Sequence, residues 1–177
     1  MASFVERLTG AALLDAAIYE EVEHDRSATF QAMGVVFMSS VAAGIGLLGP
    51  FDARLSSLVT ISLLAFAAWA VWALVTLQIG TRLIPAPRTD ADLGQLLRTI
   101  GFATAPGIFR VAGAIPGLTT IVFAVTAVWM LMAMIIAVRQ ALDYESSKRA
   151  FAVCALGWGL AVGLAVAVGI FCSPPLH

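Results

Sequence analysis

Long apolar stretches, separated by short clusters of charged residues, dominate the pattern along this chain. No Lys, Arg, Asp or Glu occurs in residues 27–51, 55–81, 111–138 or 150–176. About 20 predominantly apolar residues are enough for a helix to cross the hydrocarbon core of a bilayer, and each stretch is long enough. The stretches lack the strict two-residue alternation of transmembrane strands, so the pattern predicts helices.

The predicted fold is all-α: a polytopic integral membrane protein whose residues 28–173 form a five-helix transmembrane bundle. Ser27 is available to cap the first span, and the third span is short and contains Pro106 and Arg110. Pro116 and Gly117, which follow it, suit the central pair of a tight turn. The predicted spans are approximately 29–48, 55–79, 99–115, 118–138 and 150–171.

Residues 1–27 are predicted to form a cytoplasmic, interfacial helical segment. Asp15 would interrupt its apolar face, so we interpret Asp15 as the N-cap of a second short helix. The end of the segment is acidic, which argues against a polybasic lipid-binding helix. At helical spacing, one apolar face of the segment carries Phe4, Leu8, Ala11, Tyr19 and Val22.

The loop between the second and third spans contains its own helix signal. Thr89, with Asp92 three residues later, resembles a capping box. The sequence therefore predicts a short helix that starts at Thr89 and runs through Arg98.

The distribution of Lys and Arg favours five spans over four and places the N-terminus in the cytoplasm. Five spans put eight basic residues on the inner side and Arg54 alone on the outer side, with Arg110 inside a span. If residues 99–115 did not cross, the count would be six inside and four outside. Cytoplasmic loops collect Lys and Arg. The eight inner residues are Arg7, Arg26, Arg82, Arg88, Arg98, Arg139, Lys148 and Arg149.

Composition excludes several classes of function. Hydrophobic residues make up 60% of the chain, charged residues only 12%, and the net charge is −1, which gives no footprint for nucleic acid. His24 and His177 are predicted on opposite sides of the membrane, and no span holds a carboxylate. Cys154 and Cys172 lie about 27 Å apart along one predicted helix, too far to pair. We therefore expect no catalytic site, no metal site and no cofactor.

The third span carries the most distinctive candidate site, formed by Gly101, Thr104, Pro106 and Arg110. Proline breaks the hydrogen-bonding ladder of a helix, and Thr104 can satisfy a carbonyl freed by that break. Broken helices at membrane depth occur at transport sites, but a structural kink is the commoner reason for one. Arg110 is predicted to snorkel to the outer interface and to pair with Asp52 there.

A second candidate feature lies on the fifth span, where small residues recur every four positions. This spacing lets two helices approach closely. The partner helix could belong to the same chain, which we expect, or to another chain. The small residues are Ala155, Gly159, Gly163 and Ala167.

Several of these segments together resemble the short bacterial members of the Yip family, the Ypt/Rab-interacting membrane proteins. The resemblance covers nearly the whole chain. It implies a five-span bundle with a cytoplasmic N-terminus. The segments that carry it are Tyr19–Val22, Ala28–Met33, Gly101–Pro106, Pro116, Trp129 and Ala137–Leu142.

Eukaryotic members of this family are associated with vesicle trafficking, membrane shaping and binding of Rab-type GTPases, and these are the roles that the resemblance implies. The N-terminal segment of this chain is too short for the eukaryotic cytosolic domain and its Asp-Leu-Tyr-Gly-Pro motif, which puts Rab-type GTPase binding in doubt. We expect a non-enzymatic scaffold of the bacterial inner membrane, with an external C-terminus. Membrane lipids, other membrane proteins or further copies of the chain are its expected partners. The alternatives are a small-solute transporter or channel and a small subunit of a larger membrane complex.

Overall fold

The computed structural model describes residues 2–49, 54–85 and 91–172, with side chains up to residue 160. Within these residues the protein is helical throughout, without strands. The seven α-helices are α1 (Phe4–Ala12), α2 (Ala16–His24), α3 (Ala28–Leu48), α4 (Leu55–Gln78), α5 (Leu93–Phe102), α6 (Thr119–Ala141) and α7 (Ser147–Cys172). A π-helical turn, Ile79–Leu83, extends α4, and a 3₁₀ helix, Ala105–Ala114, follows α5.

Three helices in the described residues are long and apolar enough to cross a membrane. They are Ala28–Leu48, Leu55–Leu83 and Thr119–Ala141, with mean hydropathies of 1.7, 2.3 and 2.7. They match the predicted first, second and fourth spans to within four residues. The fifth predicted span coincides with α7, whose side chains beyond residue 160 lie outside the described part of the chain.

The predicted third span, 99–115, is not one continuous α-helix. Its first four residues are the last turn of α5, a turn at Ala103 and Thr104 follows, and Ala105–Ala114 form the 3₁₀ helix. A 3₁₀ helix rises about 2.0 Å per residue against 1.5 Å for an α-helix. Ten residues therefore cover about 20 Å rather than about 15 Å, which lengthens a short segment.

The long segments pass one another in alternating directions. Gly44 of α3 faces Leu58 of α4, and Ser40 faces Ser62, so α4 runs antiparallel to α3. The segment after α4 runs parallel to α3, because Gly101 packs on Ala32. Along this second pair, Gly107 packs on Ser39 and Gly113 on Gly46. The Pro116-Gly117 turn then reverses the chain into α6, and α7 runs back along α4, with Gly157 against Trp72.

The turn at Pro116 and Gly117 forms as the sequence predicts. The Leu118 N–H donates to the carbonyl oxygen of Ile115 at 3.1 Å, and Gly117 has a φ of 85°. A positive φ at the second central residue defines a type II turn and favours glycine there. The turn therefore needs Gly117 for its backbone conformation.

The N-terminal segment is a helical hairpin that packs into the core of the bundle. Asp15 caps α2, as predicted, and accepts from the Ala17 N–H at 3.0 Å. The predicted apolar face is buried: Ala11, Tyr19 and Val22 have no exposed surface, and Phe4 and Leu8 pack beside them. This face joins α3, α5 and α6 in one hydrophobic cluster, so the hairpin is an integral part of the fold.

Two predicted helix caps differ from the structure. Asp92, not Thr89, caps α5: it accepts from the Gln95 N–H at 2.8 Å, and the Gln95 side chain accepts from the Asp92 N–H at 2.7 Å. The helix continues past Arg98 to Phe102, and Thr89 lies outside the described residues. Ser27 precedes α3 but makes no cap, because its hydroxyl donates to Asp25 Oδ1 at 2.6 Å.

Candidate functional site

The break in the third segment is satisfied by local hydrogen bonds. The α-helix ends at Phe102, and Pro106, which has no N–H, lies in the first turn of the 3₁₀ helix. The Thr104 hydroxyl donates to the carbonyl oxygen of Gly101 at 2.7 Å. The Thr104 N–H donates to the same carbonyl oxygen at 3.1 Å, so two donors of Thr104 close the turn that ends α5.

Close packing against α3 surrounds the same break. A Cβ at Gly101 would lie 2.7 Å from the Cβ of Ala32, and a Cβ at Gly107 would collide with the hydroxyl of Ser39. Pro106 is fully buried. The predicted site residues Gly101 and Pro106 therefore hold two backbones together, as small residues do at helix contacts in membranes.

Arg110 is half-buried beside α6. Its Nε donates to Thr126 Oγ1 at 3.3 Å, and its guanidinium carbon lies 5.3 Å from the centroid of the Phe123 ring. This is within the range of a cation–π interaction. Among the described residues, no carboxylate lies within ion-pair distance of Arg110. The predicted pairing with Asp52 falls on a residue outside the described part of the chain.

A largely apolar groove of about 600 Å³ runs beside Arg110. Thr104 and Arg110 both line it, so the structure brings together two of the predicted site residues. The polar lining continues with Ser39 and Ser40, and Ser40 makes a 2.9 Å hydrogen bond with Ser62. The apolar walls come from α3, α4, α6 and α7 and include Val36, Ile61, Leu64, Met130, Met134 and Trp158.

Trp72, which also lines the groove, has an unsatisfied donor. Its indole N–H is buried and has no hydrogen-bond acceptor among the described residues. The indole of Trp69, by contrast, donates to the carbonyl oxygen of Leu97 at 3.0 Å. Leaving a buried donor without an acceptor costs free energy. Trp72 is therefore an exception to the rule that buried polar groups are hydrogen-bonded.

The two described members of the small-residue series on α7 face outward. Ala155 and Gly159 are exposed, and a Cβ at Gly159 would meet nothing within 4 Å. The contact with α4 is made instead by Gly157, whose Cβ position lies 2.9 Å from the Trp72 ring. The expected packing within the chain is therefore not seen at Ala155 and Gly159. The packing of Gly163 and Ala167 lies outside the described part of the chain.

A second polar centre lies where α1, α2 and α3 meet. Arg7 is only 2% exposed and forms ion pairs with Glu21 at 2.8 Å and Asp25 at 2.7 Å. It also donates to Gln31 Oε1 at 3.1 Å. The hydrogen bond from Arg7 lowers the pKa of Glu21. Hydrogen bonds from Ser27 and Arg7 lower the pKa of Asp25 to about 2. Both carboxylates therefore stay charged at neutral pH.

The end of α2 continues this polar region towards α5. Arg98 is buried and donates through Nε to the carbonyl oxygen of Val22 at 3.0 Å and through Nη2 to that of Glu23. Burial raises the pKa of the Glu23 carboxyl to about 7. Glu23 accepts from Gln95 Nε2 at 3.3 Å and lines a pocket of about 380 Å³ with Arg139 and other polar residues.

Sequence reasoning did not identify Arg7 or Glu23 as important. Arg7 and Glu23 follow the charge pattern of a cytoplasmic segment, and only the folded hairpin reveals their burial. The sequence does contain one signal for Arg7. It is the only basic residue on α1, and the next helix, α2, carries several acidic residues, a pattern that predicts an ion pair between the two helices. The chain matches no family model, and no curated protein or solved structure matches it.

Proposed function

We propose that this chain is a non-enzymatic, multi-pass membrane protein of the Yip type in the bacterial inner membrane. In this proposal it crosses five times, with the N-terminus in the cytoplasm and the C-terminus outside, and organises membrane proteins or lipids. The observation that carries the scaffold function is the close, glycine-mediated packing around the break at Pro106, where a transporter would have a polar passage.

The contacts between loops support the proposed topology. The single Tyr144 hydroxyl hydrogen is shared between the carbonyl oxygens of Ile84 at 2.6 Å and Gly80 at 3.1 Å. Arg98 bonds the backbone at the end of α2. The end of α2, the described residues 80–85 and 91–98, and the loop 139–149 therefore meet at one end of the bundle, the arrangement expected if all three face the cytoplasm.

The dimensions of the third segment support a full crossing. Along α3, Ala32 and Gly46 are 14 residues apart, about 21 Å of helix, and the third segment packs along this whole length. Residues 99–102 add about 6 Å to the roughly 20 Å of the 3₁₀ helix. The total approaches the roughly 30 Å of the hydrocarbon core.

Two exposed helix faces offer surfaces for partners in the bilayer. Only 11% of the most apolar part of Leu55–Leu83 is buried against the rest of the chain. The face of α7 that carries Ala155 and Gly159 is also open. Lipid can cover both faces, but small residues at four-residue spacing additionally suit close approach of a second helix.

Purification in mild detergent, followed by mass spectrometry of co-purifying proteins and lipids, tests the scaffold function. We expect reproducible membrane-protein or lipid partners, and we expect Gly159→Leu to reduce the protein partners. A single stoichiometric complex would favour the alternative of a small subunit. Co-purification of no protein or lipid above the background of an unrelated five-span protein would contradict the proposal.

Reporter fusions after Leu142 and after Leu176 test the topology separately. We expect a cytoplasmic signal from the first fusion and an external signal from the second, because five crossings place these sites on opposite sides. A cytoplasmic signal from the C-terminal fusion would contradict the five-span arrangement.

A small-solute transporter is a second candidate, favoured by one observation: Thr104 and Arg110 line a groove beside a broken helix. In a background with Cys154→Ala and Cys172→Ala, Thr104→Cys distinguishes the two functions. Labelling by a membrane-impermeant thiol reagent from both sides of the membrane would favour alternating access. Protection from both sides is the result expected of a packed scaffold.

A further inference from the structure

The groove has the dimensions of a binding site for an elongated apolar group. Its volume of about 600 Å³ lies within the range of ligand pockets. Along α4 its wall extends from Ile61 to Trp72, 11 residues or about 16 Å of helix. Most of this length is apolar, with Leu64, Met130 and Met134 among the lining side chains.

The polar groups at the edges of the groove are unsatisfied donors. Arg110 uses Nε for one long hydrogen bond to Thr126, and within the described residues it has no carboxylate in ion-pair range. The buried N–H of Trp72 has no acceptor in the same residues. Trp72 lies beyond Trp69 on α4, at the other end of the groove from Arg110. The guanidinium of Arg110 is therefore the group that selects the ligand, and its complement is a ligand that carries negatively charged oxygen atoms.

Arg110 lies towards the end of the bundle opposite the end of α2, about one turn of α6 beyond the level at which the tip of the N-terminal hairpin bonds Trp129. Its backbone adjoins Gly46, near the end of α3, and its side chain reaches Thr126 on α6. The apolar walls at Trp69 and Ile100 lie nearer the end of α2, because the Trp69 indole bonds Leu97. The groove is therefore amphipathic along its length, with a cation at one end.

We propose that the groove binds one anionic phospholipid of the bilayer, with an acyl chain along the apolar walls supplied by α4 and α6 and the phosphate on Arg110. Guanidinium groups match phosphate oxygens through two parallel hydrogen bonds. A bilayer supplies both the charge and the chain in one molecule, directly beside an open groove. The inference rests on the proposed membrane embedding and adds to it a specific lipid site.

Tryptophan fluorescence provides a direct readout, since three of the four tryptophans, Trp69, Trp72 and Trp158, line the groove. The protein is reconstituted into phosphatidylcholine vesicles, and phosphatidylglycerol or phosphatidylcholine with brominated acyl chains is then titrated in. Bromine quenches an indole at contact. We expect brominated phosphatidylglycerol to quench at about tenfold lower mole fraction than brominated phosphatidylcholine, as one charge-assisted contact predicts.

Two variants of Arg110 and one matched control test whether Arg110 causes the preference for phosphatidylglycerol. Arg110→Gln should abolish it, whereas Arg110→Lys should retain part of it, because the charge remains but the planar fork is lost. Arg54→Gln removes an exposed cation near the same end of the bundle and should leave the preference unchanged. Circular dichroism of each variant establishes that it is folded.

Several results would overturn the inference. Equal quenching by the two phospholipids would leave no specific site, and an unchanged preference in Arg110→Gln would place the charge elsewhere. Quenching by a brominated fatty acid, but not by phosphatidylglycerol, would assign the groove to a free carboxylate. If Asp52→Asn creates a preference for phosphatidylglycerol that the native chain lacks, Arg110 is paired with Asp52 in the native protein and does not bind a phosphate. All four outcomes leave a protein that enters vesicles, whereas failure of the proposed function would appear as no membrane insertion.

Discussion

The indole nitrogen of Trp129, in the middle of α6, donates a 2.7 Å hydrogen bond to the carbonyl oxygen of Ala12 at the end of α1. The Trp129 ring also stacks on Phe109, with centroids 5.3 Å apart. One side chain therefore ties together the hairpin, the 3₁₀ helix and α6. It also satisfies a carbonyl that the end of α1 would otherwise leave unpaired.

Replacing Trp129 should loosen the N-terminal hairpin. Trp129→Phe keeps a ring on Phe109 but leaves the Ala12 carbonyl without this donor, at a cost of about 1–2 kcal/mol. Thermal unfolding in detergent measures the loss, and protease sensitivity of residues 2–24 locates it. Trp158→Phe is the control, because Trp158 is 57% exposed. Equal losses in both variants would count against the hydrogen bond as the cause.

Removing Arg7 should destabilise the same hairpin through its charges. Arg7→Met leaves Glu21 and Asp25 without their cation, and breaking a buried ion pair costs about 3 kcal/mol. Arg7→Lys should be intermediate, since one ammonium cannot reproduce the hydrogen bonds to both carboxylates and Gln31. Arg26→Ala, an exposed neighbour, should change stability little. Similar losses for Arg7→Met and Arg26→Ala would contradict the role of the buried network.

Glu23 should make stability depend on pH near neutrality. Its pKa is about 7 in the folded protein, because burial disfavours the charged form, against an ordinary value of 4.5. Between these values the folded state holds a proton that the unfolded state has released. Stability is therefore greatest at the acidic end of this window and falls as the pH rises through 7.

Glu23→Gln should remove most of this dependence and stabilise the protein at pH 8, on the order of 1–3 kcal/mol. The facing groups, Glu20, His24, Arg98 and Asp143, remain in both proteins, so the difference between the two pH profiles isolates Glu23. Glu20→Gln, at an exposed position, is the matched control. Parallel profiles for native protein and Glu23→Gln would show that Glu23 ionises normally.

Gly46 should tolerate no side chain. A Cβ there would collide with the carbonyl oxygen of Arg110, so Gly46→Ala must separate α3 from the 3₁₀ helix, at a cost of about 1–3 kcal/mol for overpacking. Gly159→Ala is the control because its Cβ would meet nothing within 4 Å. Melting curves of the two variants in the same detergent give the comparison. A stable Gly46→Ala would mean that α3 is free to shift.

Hydropathy predicts the long helices well because the property that drives their formation is local. The bounds of α3 and α4 follow closely from runs without charge, and the φ of Gly117 follows from the Pro-Gly pair. The helices α6 and α7 each extend past the edge of their run, α6 through Arg139 and α7 back through Lys148 and Arg149. The hairpin is different. Arg7 is buried because Glu21, Asp25 and Gln31 all accept its hydrogen bonds. These partners lie on other segments of the chain, so the sequence around Arg7 does not predict its burial. Neither the groove nor the unsatisfied indole of Trp72 has a signature along the chain, since both arise from how α4 sits against α3 and α6.

The tighter winding of the third segment has a consequence for changes in its length. With three residues per turn, every third position lies on the same edge, and Thr104, Gly107, Arg110 and Gly113 fall on one such row. Deleting or inserting a single residue between Thr104 and Arg110 would rotate everything beyond it by about 120°. Arg110 would leave the groove, and a bulkier residue would replace Gly113 against α3. The number of residues between Thr104 and Arg110, more than the identity of most of them, therefore keeps the arginine side chain in the groove.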